Sequence, residues 1–186
     1  KYPVRKMITV LILVFLSNFA GSALFAAMVN ATPQFGYSGN LLGAFTIKVA
    51  LGKVTMSFGA AFVSGILCNF FVCIAVLMAA AAKDIAGKVL AIFFPIMAFV
   101  VSGYEHCVAN MYYIPAGIFA LSNEAYAQAA QTAYGYTEAQ LEALTWGNML
   151  LKNLVPVTLG NIVGGMVLVG LPLYLIHREK LRTEEI

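Results

Sequence analysis

The chain has 186 residues, 61% hydrophobic and 10% charged, with a mean hydropathy of +0.86. A chain this length cannot hide so much apolar surface from water, so composition points to an integral membrane protein and away from a water-soluble domain. The net charge of +3 is too small for a nucleic-acid binder, and no basic run is interleaved with aromatics.

A basic start, KYPVRK, precedes an apolar run over about 7–30, long enough for a ~30 Å bilayer core and too long, without a cleavage site, for a secretory signal. Residues 31–53 form a polar, glycine-bearing stretch. A second apolar run covers about 54–82, and KDIAGK turns the chain around. The third apolar segment, about 88–120, would measure about 50 Å as one helix, more than a simple crossing needs. It contains Pro95, Ser102-Gly103 and Pro115. A break near 101–104 gives two halves of about 20 Å, the pattern of a discontinuous membrane helix.

A looser segment follows with Glu124, Glu138 and Glu142. Thr137 and Gln140 have capping-box spacing. The short helix they would open, EAQLEALTWGNML, puts Leu141, Leu144 and Leu151 near one face and Trp146 at interface height. The last span is expected over about 156–177, with Pro156 in its first turn. The whole chain, 1–186, reads as a single transmembrane domain with four spans.

With four spans, Lys1, Arg5, Lys6, Lys83, Lys88, Arg178, Lys180 and Arg182 fall on one side. Lys48, Lys53 and Lys152 fall on the other. The positive-inside rule then puts both ends of the chain in the cytoplasm, and a multi-pass protein of the plasma (inner) membrane is expected.

Glu105 and His106 sit at the expected break, and an ionisable group inside a span is a functional candidate. A helix restarting at Tyr104 or Glu105 would present N–H groups and a positive dipole end to an anion. The competing reading is a histidine satisfied between helices. Asn69, midway along the second span, either faces His106 across a pore or joins helices. Asn110, one turn after His106, has the same two readings. Lys53 at the outer end of the second span either snorkels into headgroups or concentrates anions at a pore mouth. Phe99, about two turns before His106, is either an apolar constriction or an ordinary packing aromatic. GNIVGG, residues 160–165, has G-xxx-G spacing suited to close helix contact through Gly160, Gly164 and Gly165. With no preceding strand and no P-loop lysine, it does not read as a phosphate site.

Cys68, Cys73 and Cys107 lie inside apolar segments without CxxC spacing and read as small packing residues. The sequence has no HExxH, no GxSxG and no carboxylate pair, so enzyme readings have little support. No cofactor and no metal are expected. A bis-histidine haem would need a second histidine at matched depth, and the only other one, His177, is at the end of the last span.

SGYEHCVANMYYIPAGIFA, with KNLVPVTLGNIVGG about 50 residues later, resembles the formate/nitrite transporter family. The resemblance extends through KYPVRK, GILCNFFVCIAVLMAAAAKDIAGK and FFPIMAFV and covers essentially the whole chain. It implies an aquaporin-like helical bundle built from inverted repeats, with one pore per subunit of a homopentamer. It further implies that four of the family's six membrane segments, the third to the sixth, are present, so the chain reads as a C-terminal portion. By motif, His106 matches the family's central pore histidine and Asn69 the asparagine approaching it. Lys53 matches the vestibule lysine, Phe99 an aromatic of the outer constriction, and Val72 a residue near the inner slit. Ser102, Gly103 and Glu105 would then hold the helix break.

The expected partners are the lipid bilayer and small inorganic or one-carbon anions: formate, hydrosulfide or nitrite. His106 would hand a proton to the passing anion. Two other readings stand beside this one. One is a neutral-solute channel of the same fold type, against which Lys53 and His106 argue. The other is a membrane anchor or haem subunit of a redox complex.

Overall fold

The computed structural model describes residues 3–183, with side chains through residue 178. Lys1 lies outside the described residues, and the side chains of Lys180 and Arg182 lie outside the described side chains. All regular structure among the described residues is helical. Three helical runs are long and apolar enough to cross a membrane: Val4–Asn30, Phe58–Ala81 and Trp146–Arg178. Two shorter apolar helices, Ile85–Val101 and Cys107–Leu121, lie between the second and third. The chain divides into two compact units, one of Lys1–Ser57 with Cys107–Leu154, the other of Phe58–His106 with Val155–Ile186.

In the first unit, α1 (Val4–Asn30) buries only Ala26. Its exposed side chains include Leu11, Ile12, Leu13 and Leu16, an arrangement that is stable where the solvent is hydrocarbon. At about 1.5 Å per residue its 27 residues reach about 40 Å. A 3-10 turn (Pro33–Gly36) and α2 (Leu41–Val54) follow.

α2 lies within the stretch 31–53 that the sequence marks only as polar and glycine-bearing. Gly43, Ile47, Ala50, Leu51 and Val54 are all buried, an i, i+3, i+4 stripe that averaged composition conceals. Lys53 therefore sits in the last turn of a separate helix and not at the end of a membrane span. α2 packs against α5 (Cys107–Leu121) around Ile47, Leu51, Met111 and Ile114. A Cβ on Gly117 would overlap the Ala50 methyl.

α6 (Glu124–Tyr134) and the single turn α7 (Glu138–Leu141) complete this unit's connecting region. The Thr137 capping box forms: the Thr137 N–H donates to Gln140 Oε1 at 2.9 Å and the Gln140 N–H to Thr137 Oγ1 at 3.3 Å. The expected helix EAQLEALTWGNML does not continue, because Thr145 starts a new cap by accepting from the Asn148 N–H at 3.1 Å. Leu141 and Leu144 are buried while Leu151 is exposed, so the three do not share a face. Trp146 meets Phe19 and Phe119 edge-on, with ring centroids 6.4 and 5.8 Å apart.

The last helical run also starts earlier than Pro156. It opens with α8 (Trp146–Asn148), passes through a π-helical turn (Met149–Leu154) and continues as α9 (Val155–Gly165). Proline removes one backbone donor and crowds the preceding turn. The wider π turn directly before Pro156 lets the helix run through it. A second π turn (Met166–Gly170) leads into α10 (Leu171–Thr183).

In the second unit, α3 (Phe58–Ala81) packs against α9, and α4 (Ile85–Val101) packs against α3. The α3–α9 contact is close because glycines line it. A Cβ on Gly65 would lie 2.8 Å from the Val157 carbonyl oxygen. On Gly160 and Gly164 it would overlap the carbonyls of Phe62 and Ile66. Backbone-to-backbone approach of this kind is how helices associate where lipid removes the hydrophobic drive. α4 is N-capped by Asp84, whose Oδ1 accepts from the Gly87 N–H at 2.8 Å.

Candidate functional site

The chain leaves helix at Val101 and resumes it at Cys107. α4 ends in a Schellman motif: the Gly103 N–H donates to the Val100 carbonyl (3.0 Å) and the Tyr104 N–H to the Phe99 carbonyl (3.1 Å). Gly103 takes the left-handed conformation the motif requires, with φ at 70°. Tyr104, Glu105 and His106 have no helical assignment.

This corrects two expectations. The helix restarts at Cys107 and not at Tyr104 or Glu105. The amides of those two residues are engaged inside the protein and do not form an open N-terminal cradle. His106, lying before the first helical residue, also has no helical face to share with Asn110.

Buried non-helical backbone must find hydrogen-bond partners outside the helical ladder. The Glu105 N–H donates to Ser64 Oγ on α3 at 3.0 Å. The Glu105 carbonyl accepts from Asn161 Nδ2 on α9 at 3.0 Å. The same Nδ2 donates to the Gly65 carbonyl at 2.8 Å. Asn69 Nδ2 in turn donates to the Asn161 carbonyl. Glu105 itself is 2% exposed.

Two aromatic contacts complete the site. Tyr104 stacks on Phe71 with centroids 6.2 Å apart and planes at 21°. His106 stacks on Phe99 with centroids 6.0 Å apart and planes at 27°. Phe99 is buried and His106 half-buried. Ser102 is the C-cap of α4, its N–H donating to the Ala98 carbonyl. Val72, half-buried, lies on α3 nearly one turn beyond Asn69.

Thus the second unit brings together His106, Phe99, Glu105 and, through Asn161, Asn69. Lys53 and Asn110 belong to the first unit. The Lys53 carbonyl accepts from Asn153 Nδ2 at 3.0 Å, and Asn153 Oδ1 accepts from Asn110 Nδ2 at 2.8 Å. Both asparagines are fully buried. Lys53 Nζ lies 5.5 Å from the centroid of the Tyr113 ring, within cation–π range.

Ser64, Asn153 and Asn161 were not singled out from the sequence. Asn161 stands between the glycines of GNIVGG, a signal that was read for helix spacing alone. Ser64 and Asn153 carry no local mark beyond being polar in apolar runs. Among the described residues, no three His, Cys, Asp or Glu side chains gather as a metal-binding set.

The family model for formate/nitrite transporters matches residues 1–175. A Bacillus subtilis protein named as the uncharacterized transporter YrhG is 43% identical over 140 residues, covering 75% of this chain and 44% of that one. The formate channel FocA of Haemophilus influenzae is 38% identical over 168 residues, covering 89% of this chain and 57% of that one. The chain thus spans about half the length of these curated relatives. A solved structure described as a pentameric formate channel with formate bound superposes with a TM-score of 0.82 at 35% identity, covering 95% of this chain and 69% of that one.

Proposed function

The chain belongs to the formate/nitrite transporter family, and on that premise we propose that it is part of a membrane channel for small monovalent weak-acid anions, formate foremost and nitrite or hydrosulfide beside it. The observation that carries this reading is the stack of His106 on Phe99 where an apolar helix is interrupted. Relatives named as formate channels and a formate-bound structural neighbour support the choice of substrate.

The mechanism follows from the energetics of a small anion in an apolar passage. An ion stripped of water there meets a barrier of at least several kcal/mol. A histidine at the midpoint lowers that barrier in either protonation state. It donates a hydrogen bond when neutral and adds opposite charge when protonated. In this reading His106 also passes its proton to the anion, so that the acid crosses uncharged. Lys53 raises the local anion concentration at the entrance. Phe99 and Val72 line apolar constrictions, and Asn69 borders the passage.

The assembly in this reading is a homopentamer in the plasma membrane with one pore per subunit, each an aquaporin-like bundle. This chain supplies four of six membrane segments: three long runs plus the interrupted pair Ile85–Val101 and Cys107–Leu121. Its KYPVRK, KDIAGK and HREKLR segments face the cytoplasm.

The test is solute flux into proteoliposomes of the full-length protein, with formate, nitrite, hydrosulfide, chloride and glycerol compared from pH 5 to 8. Weak-acid anions should pass and chloride and glycerol should not. Glycerol flux matching that of formate would refute the proposal.

A further inference from the structure

The peptide units that deliver His106 to the site are held from outside the break, and by side chains of a particular kind. Glu105 contributes its N–H to one peptide plane and its carbonyl to the next. Each plane is rigid, because the peptide bond does not rotate freely. Ser64 Oγ fixes the first plane by accepting the Glu105 N–H at 3.0 Å. Asn161 Nδ2 fixes the second by donating to the Glu105 carbonyl at 3.0 Å. That second plane ends at the Cα of His106, so its orientation decides where the imidazole starts.

The clamp is itself anchored. Asn161 Nδ2 also donates to the Gly65 carbonyl at 2.8 Å, and Asn69 donates to the Asn161 carbonyl. Gly65, Gly160 and Gly164 let α9 approach α3 closely enough for these bonds to form. Only a side chain with a doubled N–H donor can serve two carbonyls in this way, and an amide does so without carrying charge.

We propose that Asn161 and Ser64 are positioning residues for His106: they hold the two peptide planes flanking Glu105 so that the imidazole is presented against Phe99. This rests on His106 being the anion-facing group proposed above. Asn69 then acts on the site through Asn161.

The experiment uses the full-length protein in proteoliposomes and reads half-saturation, maximal formate flux and the formate-to-chloride ratio. The variants are S64A, S64T, N161D, H106N and S64A/H106N. N161D keeps the size of residue 161 but turns an acceptor toward two carbonyls. S64A should lower maximal formate flux about fivefold, the factor expected from losing roughly one hydrogen bond, with little change in half-saturation. S64T, which keeps the hydroxyl, should restore it. In the H106N background S64A should have no further effect, because the two act as one unit. The Glu105 amide should also exchange with solvent faster in S64A than in wild type.

Wild-type flux and selectivity in both S64A and N161D, alongside an impaired H106N, would overturn the proposal. So would an S64A effect of the same factor in the H106N background. Should N161D fail to assemble, the two Ser64 variants carry the test. If instead H106N transports like wild type, the role given to His106 falls, and the clamp is judged separately by the Glu105 amide. Unchanged exchange of that amide in S64A overturns the clamp.

Discussion

His106 and Phe99 stack with ring centroids 6.0 Å apart and planes 27° from parallel. The Schellman turn between them folds the chain back so that a residue in the last turn of α4 and one beyond its end become neighbours. Their proximity yields a paired prediction. F99A should raise flux of larger anions such as acetate several-fold relative to formate, because the proposed apolar constriction would lose its ring. F99L should change this ratio less. Relative influx in proteoliposomes checks both.

Replacing His106 by asparagine should remove the proposed proton delivery while keeping a hydrogen-bond donor. The flux comparison covers pH 5 to 8. If His106 hands over a proton, wild-type formate influx rises as pH falls through this window. H106N should show lower influx, with little dependence on pH beyond that of formic acid itself. Wild-type steepness in H106N would sink the proton step.

Gly160 and Gly164 face backbone carbonyls of α3, which cannot move aside. G160A and G164A should therefore weaken the α3–α9 contact and lower the melting temperature of the detergent-solubilised protein. Overpacking of this kind costs about 1–3 kcal/mol. Gly52, on α2, has open space around its would-be Cβ, so G52A is the control, with an unchanged or raised melting temperature. A melting temperature for G160A equal to that of G52A would count against the close contact.

Gly103 has φ at 70° and no neighbour within 4 Å of a built Cβ. The constraint there is conformational and not steric crowding. G103V should destabilise by about 1–2 kcal/mol, the cost of a side chain in the left-handed region, and G103N should cost less. The order of melting temperatures, wild type above G103N above G103V, checks this.

Asn153 joins the Lys53 carbonyl to Asn110 inside the first unit. N153A removes both bonds from a fully buried side chain. A net loss of about 0.5–1.5 kcal/mol follows for each hydrogen bond removed. N153L, which restores the volume but neither bond, should recover little of it. Thermal unfolding in detergent measures the difference.

Much of this could be read from the chain alone, for reasons particular to its residues. Composition and long apolar runs report the solvent directly, so the helical membrane class was legible. The blocks around His106 and GNIVGG carried the family. What was missed is equally specific. α2 was hidden because glycine, threonine and lysine dilute its apolar stripe. The early start at Trp146 was hidden because Pro156 is a strong local stop signal, and the π turn that bypasses it leaves no mark in composition. Leu151 was assigned to the wrong face because α7 lasts a single turn.

Apolar content, the length of the 88–120 segment and the presence of Gly103 beside Glu105 and His106 are one-dimensional facts, and they determined that this chain enters a membrane and carries ionisable groups at an interruption. Which groups those residues meet was decided only by tertiary structure. Ser64 and Glu105 are 41 residues apart in the chain, and Glu105 and Asn161 are 56 apart. The Asn161 bond accompanies the close approach of α9 to α3 that the glycines allow. Backbone interrupted between two apolar helices has lost its helical partners, and no local pattern marks which distant polar side chain will replace them.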